Sequence, residues 1–209
     1  MKESKVSRST ISRIPMYLRY LKSREPQTKN ISATTIAREL GLGDVQVRKD
    51  LSSVSGFGRP KTGYDTDGLI ATLEAFLGHA DKSGVVLVGA GKLGRALLDY
   101  TGFHDYGLDI LAAFDIAVTE EQTSKGGKPI YPMAMLDDYI REHHAKIGII
   151  AVPAAHAQDV CDQLVRDDII GILSFAPCTL RVPPTVCLQA ENMALSLAYL
   201  NSQIAAMNE

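Results

Sequence analysis

Six residues, Gly89-Ala90-Gly91-Lys92-Leu93-Gly94, follow directly on the apolar run Val85-Val86-Leu87-Val88 and open an amphipathic stretch over 93–100. A continuous, mostly β-branched run suits a strand buried on both faces. The first glycine of such a turn permits the tight bend. The second lets backbone come against a pyrophosphate, and the third lets the helix close on the strand, with the anion resting on the helix N-terminus. Alone the hexapeptide is also compatible with a plain glycine turn between two elements. Its surroundings add the second half of a dinucleotide site: a strand Leu108–Asp115 ends in a carboxylate 21 residues beyond Gly94. A carboxylate at that place accepts hydrogen bonds from adenosine ribose hydroxyls and repels a 2′-phosphate, so NAD(H) is expected in preference to NADP(H). Apolar runs recur at Ile147–Val152 and Ile169–Phe175, each separated by a helix-length segment or a loop. Strands alternating with helices predict an α/β, doubly wound, mostly parallel sheet of Rossmann type. Ala151-Val152-Pro153-Ala154 then lies at the carboxyl end of a later strand, where ligands enter such sheets.

Charge divides the chain. Residues 1–62 carry 13 Lys/Arg against 5 Asp/Glu, whereas the remainder carries 9 against 19. A basic segment with helical periodicity is the footprint of a polyanion binder rather than of a solubilising tail. Ile14, Tyr17, Leu18 and Leu21 predict a first helix, with Pro15 near its first turn or kinking it. Lys22 to Asn30, polar and containing Pro26, is expected to be a loop. Ser32 caps and Gly41 ends a second helix, and Asp44 caps a third that buries Val47, Leu51 and Val54. Two short helices across a glycine turn make a helix-turn-helix. Gly56 to Tyr64, rich in turn formers and bearing Arg59 and Lys61, fits a β-hairpin wing. Asp67 is expected to cap a helix through Leu77. The organisation is therefore a winged-helix domain at 1–78, a nucleotide-binding domain at 79–190 with the boundary inside Gly78–Gly84, and a C-terminal helix at 191–209. Met193, Leu197, Leu200 and Ile204 give that last helix an apolar stripe in need of a partner.

Several function classes are disfavoured. No apolar run approaches the roughly 20 residues that span a bilayer, and the polar start lacks a signal-peptide core, so a cytoplasmic protein is expected. Cys161, Cys178 and Cys187 have no metal-ligand spacing and read as small core residues. A dehydrogenase would want a general acid/base and a substrate clamp. None of His79, His104, His143, His144 and His156 has such a setting, although His156, in the first turn of the helix after Pro153, could approach a ligand. No enzyme activity and no metal are expected.

Val47-Arg48-Lys49-Asp50-Leu51, Phe57-Gly58 and Gly63-Tyr64, taken with the glycine hexapeptide, Phe114-Asp115, Val152-Pro153-Ala154 and Phe175-Ala176-Pro177, carry a further reading. In register along nearly the whole chain, they resemble the Rex family of redox-sensing transcriptional repressors. The resemblance implies a homodimer whose C-terminal helix is exchanged between subunits. Operator DNA is then held by Gln46, Arg48, Lys49 and Ser52 of a recognition helix and by Arg59 and Lys61 of the wing. It implies NADH and NAD⁺ as ligands, with NADH releasing the DNA and the weaker-binding NAD⁺ permitting repression. The cofactor residues it implies are Gly89, Ala90, Gly91, Lys92, Leu93, Gly94, Tyr100, Asp115, Val152, Pro153 and Phe175. The chain departs from the family pattern at Ser174, at Lys92, at Pro60, and at Ala194-Leu195, where the family carries an Asp-Phe pair. Two other classes stay open from the residues alone: an NAD-dependent oxidoreductase with a DNA-binding head, and a CoA-responsive regulator. Asp115 speaks against the latter, because CoA carries a 3′-phosphate and offers no free ribose diol.

Overall fold

The computed structural model describes residues 6–24, 29–60, 62–78 and 83–207. The chain forms two units, Met1–Lys82 and Ser83–Glu209. Lys61, the loop residues around Pro26, His79 and the middle of the expected Gly78–Gly84 boundary lie outside the described residues.

In the first unit α1 (Arg8–Ser23) is capped by Ser7, whose hydroxyl accepts from the Thr10 N–H. Pro15 sits in the interior of α1, well past the first turn. After β1 (Asn30–Ile31), α2 (Ala33–Leu40) starts on the Ser32 hydroxyl and stops at Gly41, whose φ of 65° favours glycine. The third helix, α3 (Asp44–Ser55), is capped by Gly43 rather than Asp44. Asp44 is already helical, because its carboxylate is held by the Thr34 hydroxyl at 2.9 Å and by Arg48 at 2.7 Å. A similar shift occurs at α4 (Thr66–Phe76): Asp65, not Asp67, caps it by accepting from the Gly68 N–H. The expected hairpin wing contracts to one antiparallel bridge between Arg59 and Gly63, and the chain then pairs β2 (Tyr64–Asp65) with β1. Gly63 is required there, since its φ is 81° and a Cβ would collide with the Ile31 carbonyl. Ile14, Tyr17, Leu18, Ile36, Val47, Leu51 and Leu73 close the core of this unit.

The second unit is built on β3 (Ser83–Val88), β4 (Leu108–Asp115), β5 (Gln122–Thr123), β6 (Pro129–Pro132), β7 (Ile147–Ile150), β8 (Gly171–Ser174) and β9 (Cys187–Ala190). They form one sheet in the order β5-β6-β4-β3-β7-β8-β9, parallel throughout except where β5 meets β6. Its six parallel strands run third-second-first-fourth-fifth-sixth, the order of dinucleotide-binding folds, and the order reverses between β3 and β7. Both faces are covered. Val86 and Val88 pack with Phe114, Ile150 and the inner residues of α6 (Leu136–His143) and α7 (Ala154–Arg166). Val85 and Leu87 pack on the other side with Ile110, Ile130 and Leu98 of α5 (Lys92–Leu98). Cys161 belongs to this core, Cys178 is half-buried, and Cys187, expected inside, is exposed on the edge strand β9. The last helix, α8 (Met193–Met207), starts on the Asn192 side chain, which accepts from the Ala194 and Leu195 N–H groups. None of its residues is buried. Beyond the expected stripe it exposes Leu195, Tyr199 and Met207, so it is apolar nearly all round. Among the described residues no helix is long and apolar enough to cross a membrane.

Candidate nucleotide cavity and nucleic-acid-facing helix

Where the strand order of the second unit reverses, the chain leaves β3 through Gly89, and two backbone bonds pin the exit. The Gly89 N–H donates to the Phe114 carbonyl and the Ala151 N–H to the Val88 carbonyl, both at 2.8 Å. Gly89 has φ 103°, and a Cβ there would come within 2.5 Å of the Ala151 oxygen. A Cβ on Gly94 would overlap the Gly89 carbonyl, so the third glycine is what lets α5 close on the strand. Gly91 has nothing in front of it within 4 Å. Its bare backbone faces a cavity of about 420 Å³ that Gly89, Asp115, Val152 and Pro153 also line.

The Asp115 carboxylate is fixed by the turn it serves. One oxygen accepts from the Ala90 N–H at 2.6 Å and the other from the Ala117 N–H at 2.8 Å. Each oxygen keeps a further lone pair, so a ribose diol can still be received. Arg95 braces the same turn from below, its Nε donating to the Ala90 carbonyl at 2.9 Å.

The cavity thus brings together Gly89, Gly91, Asp115, Val152 and Pro153, with Ala90 and Gly94 directly behind it. It does not include the other expected cofactor residues. Lys92 and Leu93 are exposed on the outer side of α5. Tyr100 lies just beyond the end of α5, 59% exposed and edge-on to Phe103. Phe175 is half-buried at the end of β8, its N–H on the Ile150 carbonyl. Sequence reasoning missed Ile116 and Met133, which also line the cavity, and Asp159, Val160 and Gln163 of α7. The α7 group, together with the exposed His156, follows i, i+3, i+4, i+7 spacing and is legible once the helix start at Ala154 is known.

In the first unit α3 turns Gln46, Arg48 and Lys49 to solvent, while Ser52 is half-buried and donates to the Lys49 carbonyl at 3.0 Å. Arg48 is partly neutralised by Asp44 at 2.7 Å. Arg59 is exposed at the wing bridge beside Phe57, itself 89% exposed. Behind this cationic face sits a feature no sequence pattern reveals. Asp50, 3% exposed, accepts from the Thr10 hydroxyl at 2.9 Å, the Tyr17 hydroxyl at 2.7 Å, and Arg13 Nε and Nη2 at 2.7 and 2.9 Å. Burial alone would raise the Asp50 carboxyl, but the hydrogen bonds from Arg13, Tyr17 and Thr10 outweigh it and hold it below the usual range. Burial and the adjoining carboxylate push the Tyr17 phenol up to about 12. The network ties α3 to α1 by its inner side and leaves Gln46, Arg48 and Lys49 exposed on the outer side.

Similarity to known proteins covers both units. Residues 5–52 match the family model described as a putative DNA-binding protein N-terminus, and residues 80–178 match that of a CoA binding domain. The redox-sensing transcriptional repressor Rex of Carboxydothermus hydrogenoformans is 38% identical over 98% of this chain and 99% of its own. The repressor of the same name from Brevibacillus brevis is 36% identical over 95% and 97%. Among solved structures, a Rex-family repressor termed RSP in complex with β-NAD⁺ and operator DNA superposes with a TM-score of 0.90 at 30% identity, covering 98% of this chain and 95% of that one. RSP with β-NADH superposes at 0.85 and 29% identity, covering 98% and 97%.

Proposed function

The chain belongs to the Rex family of redox-sensing transcriptional repressors, and we propose that it binds operator DNA as a homodimer and leaves it when NADH enters the cavity beside Asp115. The observation that carries this reading is the Asp115 carboxylate, held at the end of β4 on the wall of the cavity with acceptor capacity to spare. The bare backbone at Gly89 and Gly91 meets the pyrophosphate, and Asp115 receives the adenosine ribose. CoA fits the same place poorly, because its 3′-phosphate would face that carboxylate. The cofactor supplies a redox state to be sensed rather than a hydride to be transferred, and the protein acts in the cytoplasm by binding, without catalysis.

Sensing requires that NADH and NAD⁺ differ in their preference for the DNA-competent state; a dinucleotide that bound both states equally would shift nothing. On DNA, Gln46, Arg48, Lys49 and Ser52 of α3 meet the major groove, with Arg59 and Lys61 of the wing on the flanking backbone. Dimerisation follows from α8: an apolar helix exposed all round is covered by a second copy, and a twofold dimer presents two α3 helices at a spacing fixed by the DNA repeat. The test is a mobility-shift titration of the operator-bound protein with NADH, NAD⁺ and CoA. NADH is expected to release DNA at far lower concentration than NAD⁺, and CoA to do nothing. Release by CoA, or indifference to NADH, overturns the reading.

A further inference from the structure

The cavity beside Asp115 has a largely apolar lining beyond the glycine turn: Ile116, Met133, Val152, Pro153 and Val160. If Asp115 holds the ribose and the glycine turn the pyrophosphate, the base attached to that ribose has these residues as neighbours, and an apolar lining suits a purine. Apart from Asp115, the polar side chains that line it come from α7: His156, Asp159 and Gln163. The first two are exposed; Gln163 is half-buried and anchored.

The anchor is Asp137, near the start of α6, which accepts from Gln163 Nε2 at 2.6 Å. Asp137 is one of a pair of adjoining carboxyls, the other being Asp167. The hydrogen bond from Gln163 holds it below the usual range against the opposing effect of burial, with further help from Asp167, Arg141 and Arg166. Asp167, at the end of α7, is pushed up to about 6 by burial and by the adjoining Asp137, and its Oδ2 is buried with no hydrogen-bond partner. A charged carboxylate only accepts, so Gln163 must turn its NH₂ toward Asp137. That leaves the acceptor Oε1 as the other polar end of the amide on the cavity wall.

Resting on the dinucleotide reading above, the geometry points to Gln163, oriented by Asp137, as the residue that reads the exocyclic amine of the purine and so selects an adenine dinucleotide over its deaminated, hypoxanthine counterpart. Adenine presents an N–H donor at the six position, complementary to Oε1. Hypoxanthine presents a carbonyl there, and two acceptors would face each other in a half-buried site. Asp137 touches no ligand and is a positioning residue: it decides which end of the amide is offered.

The experiment is a fluorescence or calorimetric titration of the full-length protein with NADH and with reduced nicotinamide hypoxanthine dinucleotide. The parent should prefer NADH by roughly tenfold, the effect of one buried hydrogen bond. Gln163→Met, of similar length without polar atoms, should bring the ratio to within about twofold, chiefly by weakening NADH. Asp137→Asn keeps the shape but gives the amide a neutral partner that accepts or donates, so the preference should collapse although Gln163 is intact. A merely structural role for Asp137 would lower both affinities together and leave their ratio alone. Equal binding of the two dinucleotides by the parent, or an undiminished preference in Gln163→Met, overturns the assignment while leaving the dinucleotide reading in place. Failure of the parent to bind either one overturns both.

Discussion

Replacing Asp50 by alanine removes the acceptor of four hydrogen bonds from three side chains at once. The Tyr17 hydroxyl, on a side chain 0% exposed, loses its acceptor with no water to replace it, which costs about 1–3 kcal/mol. Arg13 is less affected: 23% of its side chain is exposed, so it can turn to solvent, and its share is discounted to below about 1 kcal/mol. Thr10 keeps the Ser7 hydroxyl at 2.9 Å as a partner. Together these losses come to about 3 kcal/mol, the lower end of what breaking a buried ion pair costs. Because the chain has two units, global unfolding would blur the result, and native-state hydrogen exchange of the α1 and α3 amides in the full-length protein reads it locally. A loss of 3 kcal/mol accelerates exchange from the open state by about 150-fold. Adding Tyr17→Phe, which removes the stranded hydroxyl, should restore part of the protection. Exchange accelerated less than about fivefold in Asp50→Ala, a loss under about 1 kcal/mol, would refute the idea that this network holds α3 in place. The pH dependence has a definite sign. Because the native state holds the Asp50 carboxyl below its usual 3.8, its contribution is present above that value and is lost as pH falls through the lower native one. Protection of α3 in the variant should therefore be less acid-sensitive than in the parent.

Arg48→Ala and Lys49→Ala should each weaken operator binding without changing NADH affinity, at least one of them by more than about 1 kcal/mol; unaltered mobility shifts for both would remove α3 from the DNA. Asp115→Ala should weaken NADH binding and yield a repressor that stays on DNA in its presence, and equal calorimetric affinities for variant and parent would end the ribose assignment. Deleting residues from Glu191 onward should convert a dimer into monomer or aggregate that no longer binds a palindromic operator. Light scattering that finds a folded, DNA-binding dimer would show that α8 is not the interface. Asp167→Asn should stabilise the protein at pH 8. The carboxyl is raised to about 6, so its favourable contribution is present below the usual 3.8 and fades as pH rises through 6. An uncharged amide escapes that loss and gives Asp137 a donor. The gain, discounted for partial exposure, is about 1–2 kcal/mol at pH 8 and disappears by about pH 4; equal melting temperatures at pH 8 would contradict it.

Much of the nucleotide site is local chemistry, and local chemistry can be read along a chain. The β-branched run, the three glycines and a carboxylate one strand later each have a steric or electrostatic reason that needs no distant partner, and β4 occupies Leu108–Asp115 as its apolar pattern predicts. The caps at Ser32 and Gly41 are of the same kind. The helix starts differ from Asp44 and Asp67 because two carboxylates or a glycine near a helix start compete for the position, and the winner depends on what else each can bond: Asp44 is taken by Thr34 and Arg48. The two-residue strands β1, β2 and β5 and the four-residue β6 and β9 carry too little pattern to register, being defined by their neighbours in the sheet.

What lies between elements was out of reach for a different reason. Asp50 reads as one more polar residue on a basic helix until α1 brings Thr10, Arg13 and Tyr17 to it from 33 to 40 residues away. Gln163 reads as a surface glutamine until α6 sets Asp137 against it across 26 residues. From its sequence this chain declares a basic helix-turn-helix, a dinucleotide turn closed by Asp115 and an apolar last helix, because periodicity, glycine sterics and charge act over a few residues. Tertiary structure alone decides which carboxylates are buried, which amide lines the cavity and which glycine-turn residues line it, because burial and hydrogen-bond partnership are properties of elements brought together and not of the segments that form them.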